Sequence, residues 1–254
     1  MKKKNQKALK VFLVGVSVVL VTAISVGLTL AYLTTQTDPI KNDFTAKGDI
    51  AGRIAEPNWT AANALKIAPG KTLDKNPIVD NETGDTYIWV GVRVEFVLDV
   101  DGTPKTVPYS TFSKYVELTG LTGTDWVEYT AADDGLVNAT YKYYFYTKVL
   151  DKDKDDTGDA KVENADSTTE LFTKVTPKKE IVIDPDAATG TYVVNTSIPA
   201  SPDFSELIFK KFDFQINIKG YGVKAYKTSS TEDGAVTQAS AKAEILDKLG
   251  GKTA

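Results

Sequence analysis

Two long segments of this chain alternate apolar and polar side chains at every second position. From Thr86 to Leu98 the odd positions include Trp89, Arg93 and Glu95, and from Lys211 to Lys219 they are all polar or charged. A period of two places alternate side chains on opposite faces of a β-strand. Both segments are therefore predicted to be strands with one buried face. The predicted buried residues are Ile88, Val90, Val92, Val94, Phe96 and Leu98 in the first segment, and Phe212, Phe214, Ile216 and Ile218 in the second.

Two glycines interrupt the second alternation. After Gly220 and Gly222 the apolar residues fall on odd positions, at Tyr221, Val223 and Ala225. Glycine inside a strand pattern often marks a bulge. We expect a bulge or bend there that switches faces.

A tyrosine-rich segment from Ala139 to Leu150 also alternates. It places Tyr141, Tyr143, Phe145 and Val149 on one side, with Tyr144 and Tyr146 among lysines on the other. Aromatic side chains suit a pleated, half-exposed face. The segment is therefore predicted to be a strand whose tyrosines pack on the sheet surface, in preference to a ligand-binding platform.

Shorter apolar segments and turn signals complete an all-β pattern. Turn signals such as Asp99-Val-Asp-Gly102 and Asp133-Asp-Gly135 separate the segments. About eight strands with irregular connections predict an antiparallel β-sandwich, of the jelly-roll type. The shorter predicted strands are Asp49 to Ile54, Lys114 to Leu118, Leu171 to Val175, Glu180 to Ile183 and Thr191 to Val194.

One helix is predicted in the folded part, from Ala235 to Leu249. Gly250-Gly251 follows as a stop signal. Its spacing predicts an apolar stripe formed by Val236, Ala239, Ala243, Leu246 and Leu249.

The N-terminus has the pattern of an export signal. Five lysines precede an uncharged segment from Val11 to Ala31, and polar residues follow it. The segment is longer than the core of most signal peptides and long enough to span a bilayer, so a cleaved signal and a retained anchor both remain open. Thr29 and Ala31 have the spacing that a signal peptidase needs, which favours cleavage near Ala31.

Composition excludes several kinds of chemistry. The chain has no histidine and no cysteine, which removes imidazole and thiolate catalysis and the usual zinc ligands. After residue 31 it carries 25 basic against 34 acidic side chains, and this acidity opposes nucleic-acid binding. We expect no enzymatic activity, no cofactor and no metal site.

Acidic clusters are interpreted as solvated loops. Asp151, Asp153 and Asp155 match the first positions of a calcium loop, but Asp156 stands where such a loop needs glycine, and Val162 where it needs glutamate. A charged loop is favoured there over a calcium site. A hairpin turn accounts for Asp99 and Asp101. Asp133 and Asp134 represent the remaining alternative, a hydrolase that uses carboxylates alone.

Several segments, in this order, resemble the camelysin/TasA family of exported proteins from Gram-positive bacteria. The resemblance spans nearly the whole chain after the signal. The segments are Ala31-Tyr-Leu-Thr-Thr, Glu56-Pro-Asn-Trp59, Pro69-Gly70, Lys75-Asn-Pro-Ile-Val-Asp-Asn-Glu-Thr-Gly84, Tyr87-Ile-Trp-Val-Gly-Val-Arg-Val94, Tyr141-Lys-Tyr-Tyr-Phe-Tyr146, Glu170-Leu-Phe-Thr-Lys-Val175 and Gln215-Ile-Asn-Ile-Lys-Gly-Tyr-Gly-Val-Lys-Ala-Tyr226.

This resemblance implies a jelly-roll fold, removal of the signal by a dedicated signal peptidase, and polymerisation in which an N-terminal segment adds a strand to a neighbour. Thr34 to Ile50, with Pro39, Ile40 and Phe44, is the expected donor. A protease activity attributed to camelysin is not expected, because a chain without histidine lacks the His-Glu-x-x-His motif.

The predicted organisation has four parts: a signal peptide or membrane anchor (1–31), an extended segment (32–50), a β-sandwich domain (51–230), and a C-terminal helix and tail (231–254). The predicted function is an exported structural protein of an extracellular matrix or biofilm fibre that associates with itself or with related matrix proteins. The alternative is a membrane-tethered surface binding module, held by residues 11–31, that uses the tyrosine-rich strand and acidic loops.

Overall fold

A computed structural model describes residues 42–46, 50–59, 68–83, 86–100, 103–121, 125–151, 166–183, 192–193, 206–209, 212–226 and 235–252. These residues are predominantly β, as predicted, and most of the strand pairs are antiparallel. The strands are β1 (Asn42–Ala46), β2 (Gly52–Ala55), β3 (Leu73–Asp74), β4 (Ile78–Asn81), β5 (Ile88–Val100), β6 (Thr103–Val107), β7 (Val116–Thr119), β8 (Trp126–Glu128), β9 (Lys142–Tyr146), β10 (Lys174–Pro177), β11 (Ile181–Ile183), β12 (Tyr192–Val193), β13 (Glu206–Phe209) and β14 (Phe212–Lys224), and the helices are α1 (Tyr109–Phe112), α2 (Ala131–Asp134) and α3 (Gln238–Lys248).

The centre of the fold is the antiparallel pair of β5 and β14. They stay in register over 13 residues each, from Val100 opposite Phe212 to Ile88 opposite Lys224. The even-numbered side chains of both alternating segments are buried on one face. Both long predicted strands are therefore confirmed, with their buried faces.

The largest sheet has six strands in the order β1-β14-β5-β9-β8, with β6 also paired to β5. Its pairs are antiparallel except one, because β1 runs parallel to β14. Three smaller sheets accompany it: β3-β10-β7, β11-β13-β12 and β2-β4. A second parallel pair, β11 with β13, also departs from the purely antiparallel prediction.

One hydrophobic cluster joins the large sheet to the smaller ones. It unites the even-numbered face of β5 and β14 with Val79 of β4, Leu73 of β3, Val116 of β7 and Val175 of β10. Burying apolar surface contributes roughly 25 cal/mol per Å². This cluster holds the smaller sheets against one face of the large sheet.

Helix α3 covers one end of the opposite face of the large sheet. The prediction of a bulge or bend in β14 is wrong. Pairing of β14 with β5 continues without interruption through Gly220 and Gly222. Tyr221 and Val223 are buried because α3 and its neighbours form a second cluster on that face. The strand keeps its direction and is buried on both sides.

A second correction concerns the tyrosines of β9. Tyr144 and Tyr146 were predicted to lie on a half-exposed surface, yet both are buried in the main cluster. Tyr143 and Phe145 are buried in the second cluster, beneath α3. The tyrosines of this strand therefore fill the interior on both faces of the sheet.

Helix α3 confirms the predicted C-terminal helix, but its buried face differs from the predicted apolar stripe. Its buried residues are Ala241, Ile245 and Leu246, with Leu249 just beyond, whereas Ala239 and Ala243 are exposed. The Thr237 side chain accepts a hydrogen bond from the backbone nitrogen of Ser240 at 3.2 Å, and so caps the N-terminus. The chain leaves the helix at Gly250, where φ is 77°.

Several predictions fall outside the described residues. They include the export signal at 1–31, most of the donor segment, and the loop that holds Asp153 and Asp155. In the part of the chain that the structure covers, no helix has the length and apolar character to cross a membrane.

Candidate functional site: the docking slot of the N-terminal strand

Strand β1 forms an edge of the large sheet and has the features of a detachable element. Within the described structure its backbone pairs with β14 alone, in parallel register from Asn42 opposite Ile218 to Ala46 opposite Gly222. None of its five side chains is fully buried, and Asp43 and Thr45 are exposed. An edge strand presents unpaired backbone groups and makes few contacts compared with a central strand. The predicted donor segment thus includes a strand that lies on the surface.

The side chain of Phe44 anchors β1 in a slot lined by three glycines, Gly52, Gly220 and Gly222. A Cβ atom at Gly52 would lie 2.5 Å from Phe44 Cε1, and one at Gly220 would lie 2.7 Å from Phe44 Cδ2. A Cβ at Gly222 would lie 3.0 Å from Phe44 Cζ. At separations under 3.0 Å something must shift, so a side chain at Gly52 or Gly220 would displace the ring from this position, and one at Gly222 would crowd it. The glycines that suggested a bulge instead make room for an aromatic ring.

The polar end of β1 meets a buried ion pair. Asn42 donates from Nδ2 to Oε1 of Glu56 at 3.2 Å, and Lys75 Nζ lies 2.5 Å from Oε2 of the same carboxylate. The Lys75 side chain is 2% exposed and that of Glu56 is 8% exposed. The ammonium also lies 4.6 Å from the centre of the Trp59 ring. Glu56 therefore links the N-terminal strand to the domain.

Burial lowers the pKa of Lys75 below its ordinary value, although Glu56 acts in the opposite direction through its charge and hydrogen bond. Loss of hydration disfavours the charged form of a buried amine. Lys75 consequently loses its proton more readily than an exposed lysine does.

The other predicted candidates are not brought together. Asp99 lies in β5 opposite Pro104 of β6, and the antiparallel register of the two strands confirms the hairpin interpretation. Asp134 ends α2 and forms an ion pair with Lys242 at 2.7 Å. A surface groove of about 580 Å³ contains no acidic residue; it is lined by Pro108, Ser110, Val137, Asn138, Ala139, Thr140, Gly250 and Lys252. Over the described ranges, no group of three acidic residues is placed to hold a metal ion.

Sequence reasoning missed the roles of Glu56, Lys75 and Asn42. Glu56 lies 14 residues from Asn42 and 19 from Lys75. No local period connects such distances, so only the fold brings the three together. A signal was present in the segments that carry the family resemblance, since Glu56 and Lys75 each begin one of them.

The class that the fold defines is an all-β protein with mainly antiparallel sheets. No family model, curated protein or solved structure matches the chain.

Proposed function

We propose that this protein is an exported structural subunit, or accessory, of an extracellular matrix or biofilm fibre, and that its subunits join by strand addition. In this proposal β1 of one subunit occupies the slot beside β14 of the next. We also propose that the large sheet and the smaller sheets are the two layers of a jelly-roll sandwich. The main hydrophobic cluster, which lies between them, supports this arrangement.

The observation that carries the proposal has two parts. β1 is an edge strand that pairs with β14 alone among the described strands, and its Phe44 ring fits a slot lined by Gly52, Gly220 and Gly222. Backbone pairing with β14 supplies affinity that depends little on sequence, and the Phe44 ring in its glycine slot supplies specificity. A neighbour's β1 would make the same contacts, as in domain swapping. Exchange between subunits therefore needs no new interface chemistry.

The short connection between β1 and β2 limits how far β1 can reach from its own domain. Five residues, 47–51, separate the two strands, and five residues span at most about 17 Å. Strand exchange requires this connection to leave its own domain and reach the next one. Subunits joined in this way would stand close together along a fibre.

The test compares two chains, one beginning at Tyr32 and one beginning at Lys47, which lacks β1. We expect the first to form linear polymers by electron microscopy and light scattering. The second should remain monomeric and should bind a synthetic peptide of residues 32–50. Polymers of equal length from both chains, or no polymer from the first at any pH or salt concentration, would contradict the proposal.

The native N-terminus distinguishes release from tethering. Sequencing of the protein from its own cells should give a start near Tyr32 if the subunit is released for assembly. A start at Met1 would favour the tethered binding module.

A further inference from the structure

The contacts of Glu56 bring together the three groups that an amide-forming reaction needs: an amine, a carboxamide and a carboxylate. Lys75 Nζ and Asn42 Nδ2 contact the two different oxygens of that carboxylate, at 2.5 and 3.2 Å. The two oxygens of one carboxylate are close neighbours, so the amine and the carboxamide lie on the same small group. No other ion pair in the described structure has a carboxamide on its carboxylate together with a lysine this deeply buried.

The surroundings of these groups favour condensation over hydrolysis. Both charged side chains are almost completely withdrawn from water, and the Trp59 ring lies against the ammonium. Exclusion of water strengthens the interactions of a developing charge with nearby groups and suppresses competing reactions. Burial also lowers the pKa of Lys75, which favours the neutral, nucleophilic amine.

The carboxamide of Asn42 has an atom that the resting structure leaves unexplained. Its Oδ1 is buried and has no hydrogen-bond partner among the described residues. A buried acceptor without a partner is destabilising, because it has given up its hydrogen bonds to water. In an acyl transfer, the same oxygen is the one that takes up charge or a proton when the carbonyl is attacked.

We propose that Lys75 and Asn42 condense to form an amide crosslink between β1 and the domain, with Glu56 transferring the protons. Glu56 takes a proton from the Lys75 ammonium, and the freed Nζ attacks Cγ of Asn42. The new bond joins Nζ to Cγ, and the bond between Cγ and Nδ2 breaks. The protonated Glu56 returns its proton to the departing nitrogen, which leaves as ammonia. The ammonia takes the remaining extra proton from the attacking nitrogen and departs as ammonium, so Glu56 ends as the carboxylate it was at the start. The reaction needs no oxidant and no cofactor.

The origin of β1 determines what the crosslink joins. In the monomer it ties residue 42 to residue 75 of the same chain and closes the slot permanently. Where β1 comes from a neighbouring subunit, which rests on the function proposed above, the same reaction makes the polymer covalent. The ammonia is lost in either case.

The test is the intact mass of the folded chain beginning at Tyr32, measured under denaturing conditions after incubation at increasing pH. We expect the mass per chain to be lower by one ammonia. Tryptic digestion should yield a branched peptide that joins the peptide beginning at Asn42 to the one containing Lys75. The reaction should accelerate with pH, because the neutral amine becomes more abundant.

Variants assign the roles. Asn42→Ala and Glu56→Gln should keep the full mass, whereas Asn42→Asp should lose one water in place of ammonia. Lys242→Arg is the matched control. Lys242 pairs with a partly buried carboxylate, Asp134, and lies 5.0 Å from the ring of Tyr129, but among the described residues no carboxamide hydrogen-bonds to that pair. This variant should lose ammonia as the unmodified sequence does.

A folded chain that keeps its full mass after long incubation overturns the crosslink. That failure is separate from failure of strand addition. Polymers that dissociate in boiling detergent into chains of full mass would exclude the crosslink and leave strand addition intact. Monomers that have lost ammonia would support the crosslink and count against assembly. Detergent-resistant ladders of subunits would support both.

Discussion

At the scale of single residues, one aromatic ring and three glycines determine how the N-terminal strand is attached. Phe44 is the large apolar side chain of β1. Its ring lies so close to Gly52, Gly220 and Gly222 that a side chain at any of these positions would crowd it. An aromatic anchor in a fitted slot, together with the hydrogen bond from Asn42 to Glu56, gives a strand that docks specifically through few side chains.

Replacing Phe44 by alanine should therefore loosen β1 selectively. Full burial of phenylalanine is worth about 3–5 kcal/mol against alanine, and because Phe44 is only partly buried we expect about 2 kcal/mol. Amide hydrogens of β1 should exchange roughly 30-fold faster, since local opening governs their exchange, while those of β5 keep their protection. Asp43→Ala, on the exposed face of the same strand, is the control and should change little. Equal loss of protection in β1 and β5 would show that Phe44 supports the whole fold.

Two buried tyrosines give a second prediction at this scale. The hydroxyl of Tyr144 is buried without a hydrogen-bond partner among the described residues, whereas that of Tyr129 donates to the Lys242 carbonyl oxygen at 2.9 Å. Removing an unsatisfied hydroxyl is favourable, and removing a bonded one is not. Tyr144→Phe should raise the free energy of unfolding by about 1 kcal/mol, and Tyr129→Phe should lower it by a similar amount. Chemical denaturation of the two variants side by side tests the difference, which a loss of stability in Tyr144→Phe would contradict.

At the scale of elements, α3 covers one end of the central sheet. Ile245 lies over Gly91 of β5, where a Cβ would be 2.5 Å from its Cγ2 atom. Arg93 donates to the Leu249 carbonyl oxygen at 3.3 Å and Trp89 donates to that of Val236 at 3.2 Å, so the helix and its flanks are fastened to β5. The helix is thus part of the fold and not an appendage.

Glutamate substitutions should distinguish the buried face of α3 from the face that its spacing suggested. Ala241 is fully buried and Ala243 is exposed. Ala241→Glu places an unpaired charge in the interior and should destabilise the protein by about 3 kcal/mol or more. Ala243→Glu should stay within about 0.5 kcal/mol. Thermal unfolding of both variants provides the measurement, and a reversed order would contradict the observed orientation of the helix.

The predictability of each element follows from how its sequence is patterned. β5 and β14 were predicted because alternation over many residues defines both a strand and a face. β3, β8 and β13 were missed, since two to four residues are too few to show a period. The faces of β9 and α3 were misjudged because covering by a distant element decides them. The docking slot was predicted only as an extended segment, and the Asn42–Glu56–Lys75 contacts depend on long-range packing.

At the scale of the whole molecule, the central sheet is buried on one face and, at the end covered by α3, on the other face as well, and tyrosines lie in both interiors. Burial raises the pKa of Tyr129, Tyr143 and Tyr221 on the side of α3, and those of Tyr144 and Tyr109 on the other side. Each of these hydroxyls has a higher pKa in the folded protein than in the unfolded chain, so folding favours its protonated form.

The protein should consequently lose stability in alkali. A raised folded-state pKa gives stability that is complete below the ordinary tyrosine pKa of about 10 and is lost as pH rises above it. Tyrosinate absorbance and loss of β-sheet circular dichroism should therefore rise together above pH about 10. Complete tyrosine ionisation in a chain that keeps its circular dichroism would contradict this expectation.

The attachment of β1 along β14 has a consequence for the growth of an array whose subunits join by strand addition. In an array joined by β1, every subunit gives a strand on one side and receives one on the other, so the two ends of the array differ. One end presents a vacant slot and the other a loose strand. A peptide of residues 38–50 would act as a chain terminator: it fills the vacant slot and offers no slot of its own. The amount of peptide needed to stop elongation should therefore depend on the number of growing ends, and not on the total number of subunits.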